Sequence, residues 1–262
     1  MKKRVISAII MALMFVPFLL LGDIWYMAFI SILGILSLWE LIRLEKNIPN
    51  YMQFLSYIIC LLLILYRYNS LQYYNIVNYP IIISMFLIYS FSVIINDDLK
   101  KYNYKDGLWL MGVTLLIGLI FNSAIKVRMI GLYEVLYCVI IAYVTDSFAL
   151  FGGMLFGKHK LCKEISPNKT IEGGIIGTVV GTILGSLFYY FVIGNEAIWL
   201  IMTLSLVLSV FGQFGDLFFS SIKRNYGIKD FSNVIPGHGG ILDRLDSLLF
   251  VLLGFLLYIL II

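Results

Sequence analysis

Charge is scarce in this chain. Asp, Glu, Lys and Arg together make up 13% of its 262 residues, where roughly 25% is usual in a soluble domain. That is too little polarity to cover a water-facing surface, and it excludes a soluble globular protein, a disordered segment and a coiled coil. Cysteine is sparse as well. Cys60, Cys138 and Cys162 stand alone, with no CxxC pair and no histidine-rich partner segment, which removes a disulfide framework and a zinc site. The basic residues lie in short loops between apolar runs rather than in one continuous stripe, so nucleic acid is not an expected partner.

Apolar residues are what the chain has in excess: the AVILMFWYC set makes up 61% and mean hydropathy is +0.96. This composition identifies an integral membrane protein. A helix needs about 20 mostly apolar residues to cross a bilayer, and nine runs qualify as candidates: residues 5–22, 24–42, 51–66, 76–95, 107–125, 131–150, 171–193, 198–222 and 241–262. A transmembrane β-barrel would require alternation of apolar and polar residues, which runs such as Leu61-Leu62-Leu63-Ile64-Leu65 lack. The start, Met1-Lys2-Lys3-Arg4 before an apolar stretch, has the outline of a signal peptide. The run is long, however, and ends Leu20-Leu21-Gly22 without an A-x-A-like cleavage site, so it is read as a retained first membrane helix.

Lys and Arg placement sets the expected orientation. With the N-terminus in the cytoplasm and nine helices alternating sides, the cytoplasmic side receives sixteen basic residues, from Lys2, Lys3 and Arg4 through Arg43, Lys100 and Lys158 to Arg244. Only Arg67, Lys126 and Arg128 fall outside. An even helix count would destroy this asymmetry.

Ionisable groups inside a membrane are costly and are functional candidates by default. Asp146 falls late in the sixth span, Asp216 late in the eighth, and Asp243 and Asp246 open the ninth. In the nine-helix topology all four acids sit near the cytoplasmic ends of their helices. Asp216, Ser220 and Lys223 are spaced i, i+4 and i+7 and share one helical face, as do Asp243 and Asp246 at i and i+3. Such a cluster can bind a hard divalent cation, relay protons, or pair with Lys223 and Arg244. Glu134 lies near the opposite end of its span and reads as interfacial and structural, and His159, among lysines in a loop, reads as solvated.

Two loops feed this mouth. One runs Gly152-Gly153 to Gly157-Lys158-His159-Lys160, then Ser166-Pro167-Asn168-Lys169-Thr170-Ile171-Glu172-Gly173-Gly174. The other runs Lys223-Arg224 to Lys229-Asp230, then Pro236-Gly237-His238-Gly239-Gly240. Glycines let backbone N–H groups approach an anion, and helix starts add their positive dipole ends. Lysines, an arginine, a histidine and acids packed around glycines describe a phosphate-plus-metal site. The Gly177, Gly181 and Gly185 series has small-xxx-small spacing and reads as close helix packing.

The stretch Ser221-Ile222-Lys223-Arg224, Lys229-Asp230, Ser232, Ile235-Pro236, His238-Gly239-Gly240-Ile241, Asp243-Arg244-Leu245-Asp246 resembles the C-terminal signature of the phosphatidate cytidylyltransferases, or CDP-diacylglycerol synthases. Ser166-Pro167, Lys169-Thr170, Glu172-Gly173 and Asp146 followed by Gly157-Lys158 are similar to the same family. Where the family commonly has a tyrosine and an arginine after its helix-six aspartate, this chain has Leu150 and Met154, with Lys158 and Lys160 nearby to take over. The resemblance covers the second half well and residues 1–130 in hydropathy only.

The apolar runs thus give an all-α polytopic membrane protein of about nine transmembrane helices, and the resemblance adds what its parts do. Residues 1–130 are then a variable scaffold and residues 131–262 the catalytic region, with the active site at the cytoplasmic end of the C-terminal helices and facing the cytoplasm from the cell membrane. It implies that CTP and phosphatidic acid give CDP-diacylglycerol and pyrophosphate, with Mg²⁺ and room for a second cation. Asp216 and Asp243 would hold the metal, with Asp246 as a further ligand or its support and Asp146 nearby. Lys223, Arg224, Lys229 and Arg244 would cradle phosphates; His238 with Gly239 and Gly240 would close over pyrophosphate; Ser166, Lys169, Thr170 and Glu172 would line the phosphate site. A homodimer is also implied, and the glycine face of the seventh span permits one. Two rival readings remain at this point: a CTP-dependent transferase acting on another lipid phosphate, and a secondary transporter with an acidic cation site. The transporter would favour midplane sites and an internal repeat, and the chain has no repeat between its halves.

Overall fold

A computed structural model describes residues 13, 15–66, 79–96, 98, 100–194, 196–235 and 239–261. Lys2, Lys3, Arg4, Arg67 and His238, and the opening of the first expected span, lie outside the described residues. The chain divides into two compact units, one ending at Lys126 and the other running from Val127.

In the first unit, residues 15–21 are helical and stop at Gly22. Gly22 and Asp23 both adopt left-handed backbone, with φ of 68° and 40°, and this reversal separates the segment from α1 (Asp23–Ile42). The Phe18 ring stacks on Phe29 with centroids 4.5 Å apart. Three more helices follow: α2 (Asn50–Ile64), α3 (Tyr79–Ile95) and α4 (Tyr104–Ile130). A reciprocal cap opens α4: Asn103 Oδ1 accepts from the Lys105 N–H while Asp106 Oδ2 accepts from the Asn103 N–H, satisfying donors that a helix start leaves free.

Polar side chains tie these helices together. Tyr89 OH lies 2.8 Å from Ser56 Oγ and donates to Thr114 Oγ1 at 3.2 Å, linking α2, α3 and α4. Asn122 donates to the carbonyls of Ile64 and Tyr66 and so satisfies the end of α2 from α4. In an apolar setting such bonds hold helices where hydrophobicity cannot.

The second unit carries α5 (Leu132–Phe156), a two-stranded antiparallel hairpin of β1 (Lys160–Cys162) and β2 (Ser166–Thr170), α6 (Ile171–Phe188) continued by a π turn at Tyr189–Ile193, α7 (Ile198–Asn225) and α8 (Leu242–Ile261). The hairpin corrects the all-α expectation: the segment read as loop pairs Lys160 with Thr170 and Cys162 with Ser166, so the chain is nearly, not wholly, helical.

The faces of α6 explain its place. Gly173, Gly177, Gly181 and Gly185 are buried, while Ile175, Val179, Ile183 and Leu187 on the other side stay exposed, one apolar face turned outward and one small face turned inward. A Cβ on Gly177 would lie 2.5 Å from the Thr145 carbonyl oxygen and 2.8 Å from the Ala149 Cβ. The glycines therefore let α5 and α6 meet backbone to backbone. This corrects one expectation: the face that would permit a homodimer is already occupied by α5 of the same chain.

A polar ladder runs up α7. Ser205 Oγ sits 2.8 Å from Tyr137 OH and accepts from Ser186 Oγ at 3.1 Å. Ser209 accepts from Thr145 at 3.1 Å, and Gln213 donates to Thr178 Oγ1 at 2.7 Å. The spacing of Ser205, Ser209, Gln213, Asp216, Ser220 and Lys223 keeps all six along one side of the helix.

Among the described residues, six helices are long and apolar enough to cross a membrane: α1, α4, α5, α6 with its π turn, α7 and α8. The apolar helices α2 and α3 are shorter, at 15 and 17 residues. At about 1.5 Å per residue, α2 reaches roughly 22 Å, short of the ~30 Å hydrocarbon core. The chain is a multi-pass membrane protein.

Candidate active site

The four acids singled out in the sequence come from three helices of the second unit: Asp146 from α5, Asp216 from α7, and Asp243 and Asp246 from the first turns of α8. Asp146, Asp216 and Asp246 lie within electrostatic range of one another. Helix contacts bring them there. Gly215 leaves room for α8, since a Cβ on it would lie 2.6 Å from the Asp246 carbonyl oxygen.

Two lysines enter the cluster. Lys169, at the end of β2, forms an ion pair with Asp216 Oδ2, and Asp216 Oδ1 accepts from Ser220 at 3.2 Å. Lys223, on α7, donates to Asp243 Oδ1 at 2.8 Å; the two side chains are only 10% and 2% exposed. The Lys223 ammonium also stands 5.3 Å from the centre of the Phe231 ring, a favourable position over an aromatic face. Asp243 Oδ2 accepts from the Phe231 and Gly240 N–H groups, both at 2.8 Å. Asp243 is thus engaged on both oxygens, which the sequence did not foretell. Among the described residues, no three acids, histidines or cysteines form a ready-made metal cage.

The expected phosphate-binding residues divide. Lys229 is exposed. Arg224 donates to the carbonyls of Ile165 and Ile228, clamping the hairpin turn to the end of α7. Thr170 Oγ1 accepts from the Gly173 N–H at 3.1 Å and caps α6. Glu172 accepts from the Lys158 and His159 N–H groups and pairs with His159 Nδ1 at 2.6 Å, anchoring the chain as it leaves α5. His159 is exposed, as expected, yet paired. Ser166 is half-buried in β2. Gly239, at φ 88°, bridges back to Ile235 through N–H···O bonds of 2.9 and 3.2 Å. With its N–H on Ile235 and the Gly240 N–H on Asp243, this pair shapes the turn before α8 and offers no free backbone donors.

Arg244 is exposed and interacts electrostatically with Tyr143. Tyr143 is a site residue that sequence reasoning missed: one turn before Asp146 on α5, it also faces the charges of Asp146 and Asp246. Its spacing from Asp146 was the available signal. Glu134, expected to be structural, lies at the start of α5, some three turns from Asp146. The arrangement can hold a cation among carboxylates and present ammonium groups to an anion at the same point.

Comparison with known proteins places the chain in a family. The model of the cytidylyltransferase family matches residues 2–262. The chain is 36% identical over 257 residues to phosphatidate cytidylyltransferases of Staphylococcus haemolyticus and Staphylococcus aureus, and 35% identical to that of Staphylococcus saprophyticus, covering 96% of this chain and of each relative. On a match that spans almost every residue, this chain belongs to the cytidylyltransferase family.

Proposed function

We infer that this protein is a phosphatidate cytidylyltransferase: it transfers CMP from CTP to phosphatidic acid, giving CDP-diacylglycerol and pyrophosphate. The observation that carries this reading within the molecule is the meeting of Asp146, Asp216 and Asp246 with Lys169 and Lys223 at the junction of α5, α7 and α8. A transporter reading has no comparable support, because the acids stand beside Lys169 of β2 and Lys223 of α7 and the sequence has no repeat between its halves.

A phosphate oxygen of phosphatidic acid attacks the α-phosphorus of CTP, a new P–O bond forms, and the bond from the α-phosphorus to the bridging oxygen of pyrophosphate breaks. Such a transfer needs positioning and charge neutralisation more than a covalent nucleophile. Lys169 and Lys223 bring positive charge to the reacting phosphates, with Lys229 and Arg244 at the edge. Asp243 holds the backbone of Phe231 and Gly240 against the start of α8.

The donor set fits Mg²⁺. Asp146, Asp216 and Asp246 stand within electrostatic range of one another, and oxygen-only ligands suit a hard cation. Asp216, Asp243 and Asp246 would hold it, with Asp146 alongside, and a second cation would share the same acids. Bound there, Mg²⁺ supplies charge neutralisation at the α-phosphate and the departing pyrophosphate.

The site faces the cytoplasm in a nine-helix topology; the sixteen-to-three distribution of basic residues supports this. CTP then arrives from water and the diacyl substrate laterally from the leaflet. A homodimer would pair through a surface other than the glycine face of α6. Incubating purified protein with CTP, Mg²⁺ and either phosphatidic acid or a polyprenyl phosphate tests the acceptor. CDP-diacylglycerol formed from the first alone is expected, and transfer to the second alone would reassign the substrate.

A further inference from the structure

Two features of the site belong together. The oxygens that a divalent cation would use on Asp216 and Asp243 each carry a lysine: Lys169 on Asp216 Oδ2 and Lys223 on Asp243 Oδ1. The lysines come from different elements, β2 and α7, and reach their acids independently. Lys169 is 29% exposed and Lys223 only 10%, so one ammonium lies at the rim and the other inside. An ammonium ion is a compact point charge on a flexible four-carbon stem. It can neutralise a carboxylate and can swing to another anion close by, which the fixed backbone donors of this site cannot do.

We propose that Lys169 and Lys223 are built-in counter-ions that hold the acid cluster while it lacks metal, and that cation entry displaces both ammonium groups onto the phosphates of the nucleotide. This rests on the reading of the site as one for a divalent cation and CTP. It adds a coupling between them. A cation arriving alone must break ion pairs and leave two partly buried lysines without anions, which is costly. With CTP present, the displaced lysines gain phosphate partners. Cation and nucleotide therefore strengthen each other's binding, and by linkage each does so by the same factor. The displacement also delivers positive charge to the phosphates only once the metal is seated, so the transfer machinery assembles in one step.

The full-length protein in detergent allows a test that does not depend on turnover. Bound Mn²⁺ is counted by electron paramagnetic resonance, and the reactivity of each lysine toward an amine-labelling reagent is read by mass spectrometry. Lys101, 84% exposed and in the other unit, serves as reference. Saturating Mn²⁺ alone should raise labelling of Lys169 and Lys223 several-fold over the metal-free protein, and adding CTP without lipid should return it to the starting level. CTP should tighten Mn²⁺ binding about 10-fold or more, within the ~5–150-fold range of such couplings. In Lys169→Gln, Mn²⁺ alone should bind more tightly and the CTP effect should shrink. Mn²⁺ bound with unchanged lysine reactivity would overturn the displacement while sparing the site. No Mn²⁺ bound at all would overturn both this inference and the metal reading beneath it.

Discussion

Lys223 Nζ donates to Asp243 Oδ1 across 2.8 Å, joining the last turns of α7 to the first turn of α8 in a pair almost closed to solvent. Each partner is the other's compensation in a low-dielectric pocket, and removing one leaves a buried charge, at a cost of about 3 kcal/mol or more. Asp243→Leu should therefore lower the thermal midpoint in detergent clearly. Lys223→Met/Asp243→Leu together should recover much of that stability, because no orphan charge remains. Neither protein should retain measurable transfer. Equal destabilisation by the single and double variants would show that the orphaned Lys223 charge costs nothing and that the loss comes from the Phe231 and Gly240 N–H bonds to Asp243.

Lys169 gives the opposite pattern. Its pair with Asp216 is more open than the Lys223–Asp243 pair, at 29% and 25% exposed, so losing one partner costs less than it does in the closed pair. Lys169→Gln should melt close to the parent yet lose about 100-fold in kcat/KM for CTP, the usual scale for removing a charge that stabilises a transition state. A variant that unfolds early but turns over normally would make Lys169 a structural residue.

The α5–α6 contact predicts a steric effect with an internal control. Gly177→Ala places a methyl against the Thr145 carbonyl and Ala149, where overpacking costs about 1–3 kcal/mol. Gly112, in α4, has nothing within 4 Å of an added Cβ, so Gly112→Ala should be neutral or slightly stabilising, since alanine is the better helix former. Thermal unfolding of both in the same detergent checks the difference. Equal midpoints would mean the glycine face is not tightly packed.

Chelation separates folding from chemistry. If lysines neutralise the acids in the metal-free protein, removing divalent ions should stop transfer while leaving the thermal midpoint nearly unchanged. Restored Mg²⁺ should return full activity. Unfolding on chelation would make the cation a structural element and leave Lys169 and Lys223 without their counter-ion role.

Much of this architecture was legible in the chain. Long apolar runs located α5 to α8 to within two turns, because a membrane leaves a helix almost no alternative. The i, i+4, i+7 spacing of Asp216, Ser220 and Lys223 placed one wall of the site on a single face. What stayed hidden depends on contacts distant in sequence. The hairpin of β1 and β2 lacks strand alternation and forms where Arg224 clamps its turn. Thr170, expected on the phosphate site, caps α6 through the bond from Gly173, a contact that its place in the motif does not reveal. The Asn122 cap on α2 spans 58 residues to Ile64 and leaves no local trace. The engagement of Gly239 and Gly240 follows from where Asp243 points, which spacing alone does not specify.

The central claim is cytidylyl transfer at this acid–lysine cluster, and the fate of the individual phosphates of CTP tests it most directly. Two parallel reactions with phosphatidic acid and Mg²⁺ would use CTP labelled at the α-phosphate or at the γ-phosphate. The account predicts that the α label enters the lipid phase, that the γ label leaves as pyrophosphate in equal amount, and that Asp216→Asn abolishes both. Entry of the γ label into lipid would reveal a phosphoryl transfer from the end of the nucleotide, and would contradict it.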